Sequence, residues 1–598
     1  MVVAGESNTV SGQYAAVIDG YANTASAQYS MVLNGTNNLA SQTQAFVLDG
    51  YNNIASGLNS YVLGGYSNGA AASLSSVLGG FSNNVVAGAT DSSIGRGSNN
   101  TIAATSISSN IINGFLNTTN GQNNTIVNGI ALNIGLSNFA TIINGNVNTI
   151  SATSNFGTII NGSSSLIDTL STYATIVNGY NIYVKGLNST VVNANTASVD
   201  GLHSTILNGN NLSIVGNYSS ILNGLNNNII SSPNYSFILD GYSQSVSGSS
   251  SWVGDGYNNS IAGLYSSILN GNTNVINGNS NTILNGSNNT INSTSINNTI
   301  LSGISNTVNS STQTLLQGNS NTLIGTTSSF VFGNSNSVTG IHAVVNGSSN
   351  NITGINAVVN GSSNTVSSTD SIANGNFNNV NGSLGYNYVF GQSNVTNSVS
   401  GYNLVSGLSN QVDGYYSLVS GQNNLATSDG YNSLVHGKFA KARIFGQYSQ
   451  AVSNFNGNTT GEAQYSRVVL TGSGAAGSAF YATIPGDGYV SFEDGKSYDF
   501  NIRVLVVNNQ PSIVDANKPT RFVYDVLASQ ENGTLTLHDV VNTSINQNGT
   551  GWTVTVSSVG NKLIIQVDAA VFPASPIPFN TSNRRVIATI EWRTITRI

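Results

Sequence analysis

Through the first three-quarters of the chain, apolar residues recur in two beats per repeat. The first is an adjacent pair just ahead of a glycine: Val17-Ile18, Val32-Leu33, Val62-Leu63, Ile206-Leu207, Ile221-Leu222, Ile268-Leu269 and Ile283-Leu284. The second is a single residue about five places after that glycine, as at Ile214, Ile229, Ile276, Leu323 and Val338. Asn, Ser, Thr and Gly fill the intervals, and a second glycine often follows, as at Gly12, Gly57, Gly263 and Gly340. These residues disfavour a helix in every window and favour turns between short β-branched strands. The pattern predicts two short strands and two turns per repeat.

The closing glycine gives the period. Gly5, Gly20, Gly35, Gly50, Gly65 and Gly80 stand 15 residues apart. Later spacings widen to 17 where polar residues are inserted and tighten to 14 at Gly347, Gly361 and Gly375, and Ala194 takes the glycine's place once. About 29 such phrases lie between Gly5 and Gly437. A period this short is one coil of a parallel β-solenoid, whose coils stack about 4.8 Å apart, making a shaft on the order of 140 Å long. Each coil meets the same neighbours above and below, so the same phrase serves everywhere.

Charge is scarce, with 6% Asp, Glu, Lys and Arg. Stacking explains it: equivalent positions lie directly above one another, and like charges at that spacing repel. Asn and Thr can instead hydrogen-bond along a column. The pair beat adds a constraint. Neighbours in a strand point to opposite faces, so if one member fills the coil the other faces out. A long apolar stripe on a lone chain is unfavourable, and self-association around a shared axis, as a homotrimer, is the expected remedy.

The charge distribution marks a boundary. Arg96 and Lys185 are the two basic residues up to Gly437, against 11 acidic ones; the remainder holds 13 basic and 11 acidic residues. Six of the seven prolines also follow residue 440. A net charge of −7 gives no reason to expect nucleic acid as a partner. There is no cysteine for disulfides or thiolate metal sites. The N-terminus "MVVAGESNTVSG" lacks the basic and apolar regions of a secretory signal, and no apolar run is long enough to cross a membrane.

The phrases "YSSILNGNTNVING" and "NSYVLGGYSNGAA" resemble the head repeats of trimeric autotransporter adhesins, the YadA-head type, over roughly residues 1–437. That resemblance implies a left-handed parallel β-roll and three chains side by side; viral fibres borrow the same repeats. From Gly461 the opening "GEAQYSRVVL" and the closing "RRVIATIEWRTITRI" are similar to a C-terminal module of phage tail fibres. Alternation and Gly/Asn/Asp turns there predict a β-sandwich or jelly roll. The expected organisation is a shaft over 1–437, a neck over 438–460 and a tip over 461–598. The resemblances imply an extracellular, non-enzymatic virion fibre, with another virion protein gripping the N-terminal coils and the tip meeting a host-surface glycan or protein. A bacterial surface adhesin is the first rival, and a polysaccharide-degrading tailspike the second.

No residue set points to catalysis, a cofactor or a metal. His203, His342, His436 and His538 have no metal-ligand spacing, and each reads as structural or surface. Asp240 and Asp255 fall on successive coils; they read as turn residues in place of Asn rather than as paired catalytic carboxylates. The many N-x-S/T triplets arise by chance in such a sequence and imply no glycosylation. Lys438, Lys441 and Arg443 cluster at the neck as a solvated basic face or an axial anion site. In the tip, Tyr481, Tyr489, Tyr498, Phe500, Phe522, Tyr524, Trp552 and Trp592 are expected mainly in a core. Recognition is placed on two irregular tip loops, with Asn508, Asn509, Asp515, Asn517, Asn580, Arg584 and Arg585 as contact residues.

Overall fold

The structure, a computed structural model, describes residues 1–397, 399–452, 463–474, 480–481, 490–493, 496–508, 520–542, 552–569 and 584–596. These residues contain strands and turns and no helix. The chain is a parallel β-solenoid of about 29 turns followed by antiparallel strands. It divides into two units, Met1–Ser310 and Ser311–Ile598.

In Met1–Ser310 the coils contribute two strands each, merged into one at Thr190–Val199, and these pair in parallel with the equivalent strands of the next coil. Ile206 lies opposite Ile221, and Ile214 opposite Ile229. The two beats of the sequence are the two interior columns. Val17, Val32, Val47, Val62 and Val77 form one and Ile214, Ile229, Val246, Ile261 and Ile276 belong to the other, all fully buried. The partner in each pair faces outward: Ile206 is buried and Leu207 exposed. Corners are made by left-handed residues such as Tyr29 and Asn37, with φ of 58° and 57°. A polar column supports one corner. Asn23, Asn38, Asn53, Asn68 and Asn83 are buried, and each side-chain amide from Asn23 on donates to a glycine carbonyl of the following coil.

Ser311–Ile598 begins with the same architecture, with coils as short as 14 residues. The strands Val344–Ser348, Val358–Ser362 and Ile372–Asn376 run in register, Gly347 opposite Gly361 and Gly361 opposite Gly375. Here the pair reads in the opposite order: Val344 is exposed and Val345 buried. Coil pairing continues through 438–452. Lys441 pairs with Leu425, and Tyr448 with Leu434.

The strand Tyr448–Ala451 then pairs antiparallel with Ala463–Gly474. This strand opens a five-stranded antiparallel sheet in the order Ala463–Gly474, Arg584–Thr596, Lys496–Asn508, Thr520–Glu531 and Thr534–Asn542. In a second sheet, Lys562–Ala569 pairs with Trp552–Val559 on one edge and with Phe480–Tyr481 and Val490–Ser491 on the other. Both sheets feed one apolar core. Phe500, Ile502, Val504 and Ile590 come from the first, Val554, Leu563, Ile565 and Val567 from the second. Tyr524 joins the layers, its hydroxyl donating to the Val554 carbonyl at 2.7 Å. The last coil contributes Ile444 to the same core, with Phe445 packed against it.

Candidate functional site

Strand register sorts the connections of the antiparallel unit by end. Gln464 lies opposite Ala451 of the last coil, so the start of Ala463–Gly474 is the coil-proximal end. Gly474 lies ten residues further on, about 34 Å along an extended strand. Arg584 lies opposite both Gly474 and Asn508, which puts all three at the far end. Thr520 is opposite Val506 at that end too. The chain therefore leaves the far end after Gly474 and Asn508, and re-enters it at Thr520 and Arg584. In the second sheet Trp552 is opposite Ala569, while Val490 and Ser491, six and five residues before proximal Lys496, pair at Leu563 and Lys562. The strand ends Asn508, Thr520, Asn542, Trp552, Ala569 and Arg584 thus share the end away from the coils. The proximal turns are short: Glu531 to Thr534 and Val559 to Lys562.

This topology bears on the proposed contact residues. Asn508 and Arg584 are direct register partners, and Val507 lies opposite Arg585. Sequence positions about 76 apart are thereby brought to one sheet end. Asn509, Asp515, Asn517 and Asn580 lie outside the described residues, as do the side chains of Asn508, Arg584 and Arg585.

The other candidates resolve into structural roles. Asp19, Asp49, Asp240 and Asp255 each accept the N–H of the following glycine, at 2.7, 2.6, 2.7 and 2.5 Å. Asn113 makes the same bond to Gly114, so Asp stands in for Asn in a local turn. Among the described residues no cluster of three or more His, Asp or Glu has metal-binding geometry. His203 stacks on Tyr218, His342 bonds Asn356, His436 bonds Ser420 and His538 bonds Ser529. Tyr498, Phe500, Phe522, Tyr524 and Trp592 are core residues. Tyr489 and the side chains of Tyr481 and Trp552 lie outside the described residues.

Of the basic neck cluster, Lys441 and Arg443 share one carboxylate, while Lys438 is exposed. One carboxylate oxygen of Glu493 takes Lys441 at 2.5 Å and Arg443 at 3.2 Å, and all three side chains are at most about one-third exposed. Lys438 lies over the Phe439 ring. Nothing periodic in the sequence announces Glu493, because its partners stand about 50 residues earlier.

Outside this region, charge and rings follow the columns. Asp168, Lys185 and Asp200 alternate in sign on successive coils, in line with the register Leu166, Tyr183, Ser198. The Tyr183 hydroxyl donates to Asp168 at 2.5 Å. That bond pushes the phenol up to about 12 and holds the Asp168 carboxyl below its ordinary range. Exposed rings stack between coils, as in Tyr51–Tyr66–Phe81, Phe139–Phe156–Tyr173 and Tyr386–Tyr402–Tyr416. Within each stack the faces cover one another, which stabilises the stack and leaves mainly edges to solvent.

The fold defines a β-solenoid protein. Residues 293–391 match the family described as grass antifreeze beta roll. No curated protein matches the chain. Among solved structures, the tailspike protein of Acinetobacter phage vB_ApiP_P1 aligns at 9% identity over 82% of each chain, with a TM-score of 0.15. The tailspike protein of Acinetobacter baumannii phage AM24 aligns at 9% identity over 91% of this chain and 79% of its own, with a TM-score of 0.14. Superpositions this poor carry no weight, and the coil architecture rests on the chain's own strand register.

Proposed function

We propose that the chain is a virion fibre, of the phage tail-fibre kind, in which a repetitive coil shaft presents a C-terminal β-sandwich to a host surface. The observation that supports this reading is strand register: the strand ends that flank residues 509–519, 543–551 and 570–583 lie at the end remote from the coils. Binding residues concentrate on loops held by a rigid scaffold, and here the scaffold is a shared, well-packed core. The contact surface is built from the connections flanked by Asn508, Arg584 and Arg585, and its ligand is a host glycan or surface protein. The work is attachment rather than catalysis. Three copies assemble side by side through outward aliphatic columns such as Leu207, Leu239, Leu269 and Leu284, which are all exposed. Three tips on one axis convert weak contacts into avidity. A second virion protein holds the N-terminal coils.

The test compares the full chain with a full-chain variant whose residues 572–582 are replaced by a short Gly-Ser linker. Both are applied to a bacterial glycan array and to bacterial cells. Binding by the full chain that is lost in the variant supports the reading; equal binding by both overturns the placement.

A second reading is favoured by one feature of the family-matched stretch. Three successive coils repeat an uncharged outward lattice: Val344, Val358, Ile372; Asn346, Asn360, Asn374; and Ser348, Ser362, Asn376, all in register. Such a regular face suits an ordered water lattice, as in an antifreeze. Thermal hysteresis measured on the full chain separates the two readings.

A further inference from the structure

The stack of parallel coils must end somewhere, and its last coil carries backbone groups that every earlier coil satisfies with its successor. Leu425 donates its N–H to the Ala440 carbonyl of the following coil at 2.9 Å, and Thr427 donates to Ala442 at 3.0 Å. Lys441 is the register equivalent of Leu425 one coil later. It has no successor coil of this kind. Its N–H donates instead to the side-chain oxygen of Gln464 at 2.7 Å, and the Gln464 side-chain nitrogen donates back to the Lys441 carbonyl at 2.9 Å. A glutamine amide is chemically a peptide group, so one side chain offers the acceptor and donor that the next coil's backbone would have offered.

The surroundings fix that amide. Gln464 also donates to the Ser466 hydroxyl at 2.8 Å, and Gln447 donates to the same hydroxyl at 3.0 Å. The Gln447 oxygen accepts the N–H groups of Arg443 and Ile444 at 2.8 and 3.2 Å. Gln447, Gln464, Ser449 and Ser466 are all buried. The other strand of the last coil, Tyr448–Ala451, is covered by the backbone of Ala463–Gly474 itself.

We infer that the "AQYS" segment, Ala463 to Ser466, is a stacking terminator: Gln464 replaces the missing peptide of the next coil, and Ser466 holds Gln464 and Gln447 in place. This assigns the opening motif of the C-terminal unit a role at its proximal end, separate from any recognition at its distal end, and it does not depend on the fibre reading.

Native-state hydrogen exchange on the full chain tests it. Gln464→Met keeps the buried volume and removes both polar atoms; Gln464→Glu keeps an acceptor. In Gln464→Met the Lys441 amide should exchange about tenfold faster, the loss of roughly one buried hydrogen bond. Arg443, held by Gln447, should change much less, and the amides of Thr24 and Leu39 not at all. Gln464→Glu should retain Lys441 protection. Unchanged exchange at Lys441 in Gln464→Met overturns the inference, and so does equal acceleration at Lys441 and Arg443 or a Gln464→Glu variant as unprotected as Gln464→Met. If Gln464→Met does not fold, the Gln464→Glu result at Lys441 decides alone.

Discussion

The backbone N–H of Asn38 donates to the side-chain oxygen of Asn23 at 2.9 Å, one coil earlier, in the buried corner of the solenoid. The Asn38 side-chain nitrogen donates onward to the Gly50 carbonyl at 2.9 Å and back to Asn34 at 3.1 Å. A buried amide with every group used costs little, and one with a group unused costs its full desolvation. The Asn-rich phrase is thus an interior requirement as much as a surface one.

The ladder therefore predicts the effect of cutting one rung. Asn364 accepts the N–H of Asn378 at 3.0 Å and donates to the Gly375 carbonyl at 2.7 Å. Asn364→Ala removes the acceptor of the buried Asn378 and the donor to Gly375 and should cost about 1–3 kcal/mol. Coil arrays do not unfold in one step, so the appropriate measurement is exchange at the Asn378 amide rather than a global melt.

One rung is imperfect. Gln244 occupies the ladder position between Asn227 and Asn259, and its side-chain nitrogen is buried without a hydrogen-bond partner. Asn227 and Asn259 use that atom to reach Gly241 and Gly271. Gln244→Asn should restore the missing bond to the Gly256 carbonyl and stabilise the local coils by about 1 kcal/mol. Slower exchange of amides in the neighbouring coils is the expected result.

Corner glycines face a harder limit. Gly361 has φ of +128°, and a Cβ there would lie 1.9 Å from the Gly375 carbonyl oxygen. Gly361→Ala requires the coils to separate locally and should cost at least about 3 kcal/mol, in the range of strained backbone and core disruption. Increased proteolysis between residues 345 and 375 would report it.

The Tyr183–Asp168 bond sets two pH limits. The phenol is raised from 10 to about 12, so its contribution is complete below pH 10 and is lost as pH rises toward 12. The carboxyl is lowered from 3.8, so its contribution is present above that value and is lost as pH falls through the depressed one. Tyr183→Phe should return Asp168 toward its ordinary titration. Tyr386, Tyr465 and Tyr524 are raised too, so tyrosinate absorbance should show one late-titrating phenol fewer in the variant than in the native chain.

How much of this was legible in the sequence follows from where the contacts are. Each coil touches its nearest neighbours through equivalent positions, so period, interior columns and scarcity of charge can all be read from the phrase itself. Ile206 and Ile214 are buried as their positions require. The orientation of the pair was less legible. Leu207 faces out after its buried partner, whereas Val344 faces out before its own: the buried residue stands three places before the glycine at Ile206 and two at Val345. The pairing of Lys441 with Glu493 and the amide of Gln464 on Lys441 join unlike segments once only, and periodicity is silent about contacts that do not repeat. The gathering of strand ends such as Asn508 and Arg584 at one sheet end follows from antiparallel register, which alternation alone does not specify.

In the proposed trimer further copies of the chain cover the outward aliphatic columns, and the mass of the particle in solution tests this. Light scattering on the purified full-length chain should give three times 61.7 kDa, unchanged on dilution. A stable particle of 61.7 kDa would leave columns such as Leu207, Leu239, Leu269 and Leu284 bare to water and would contradict it.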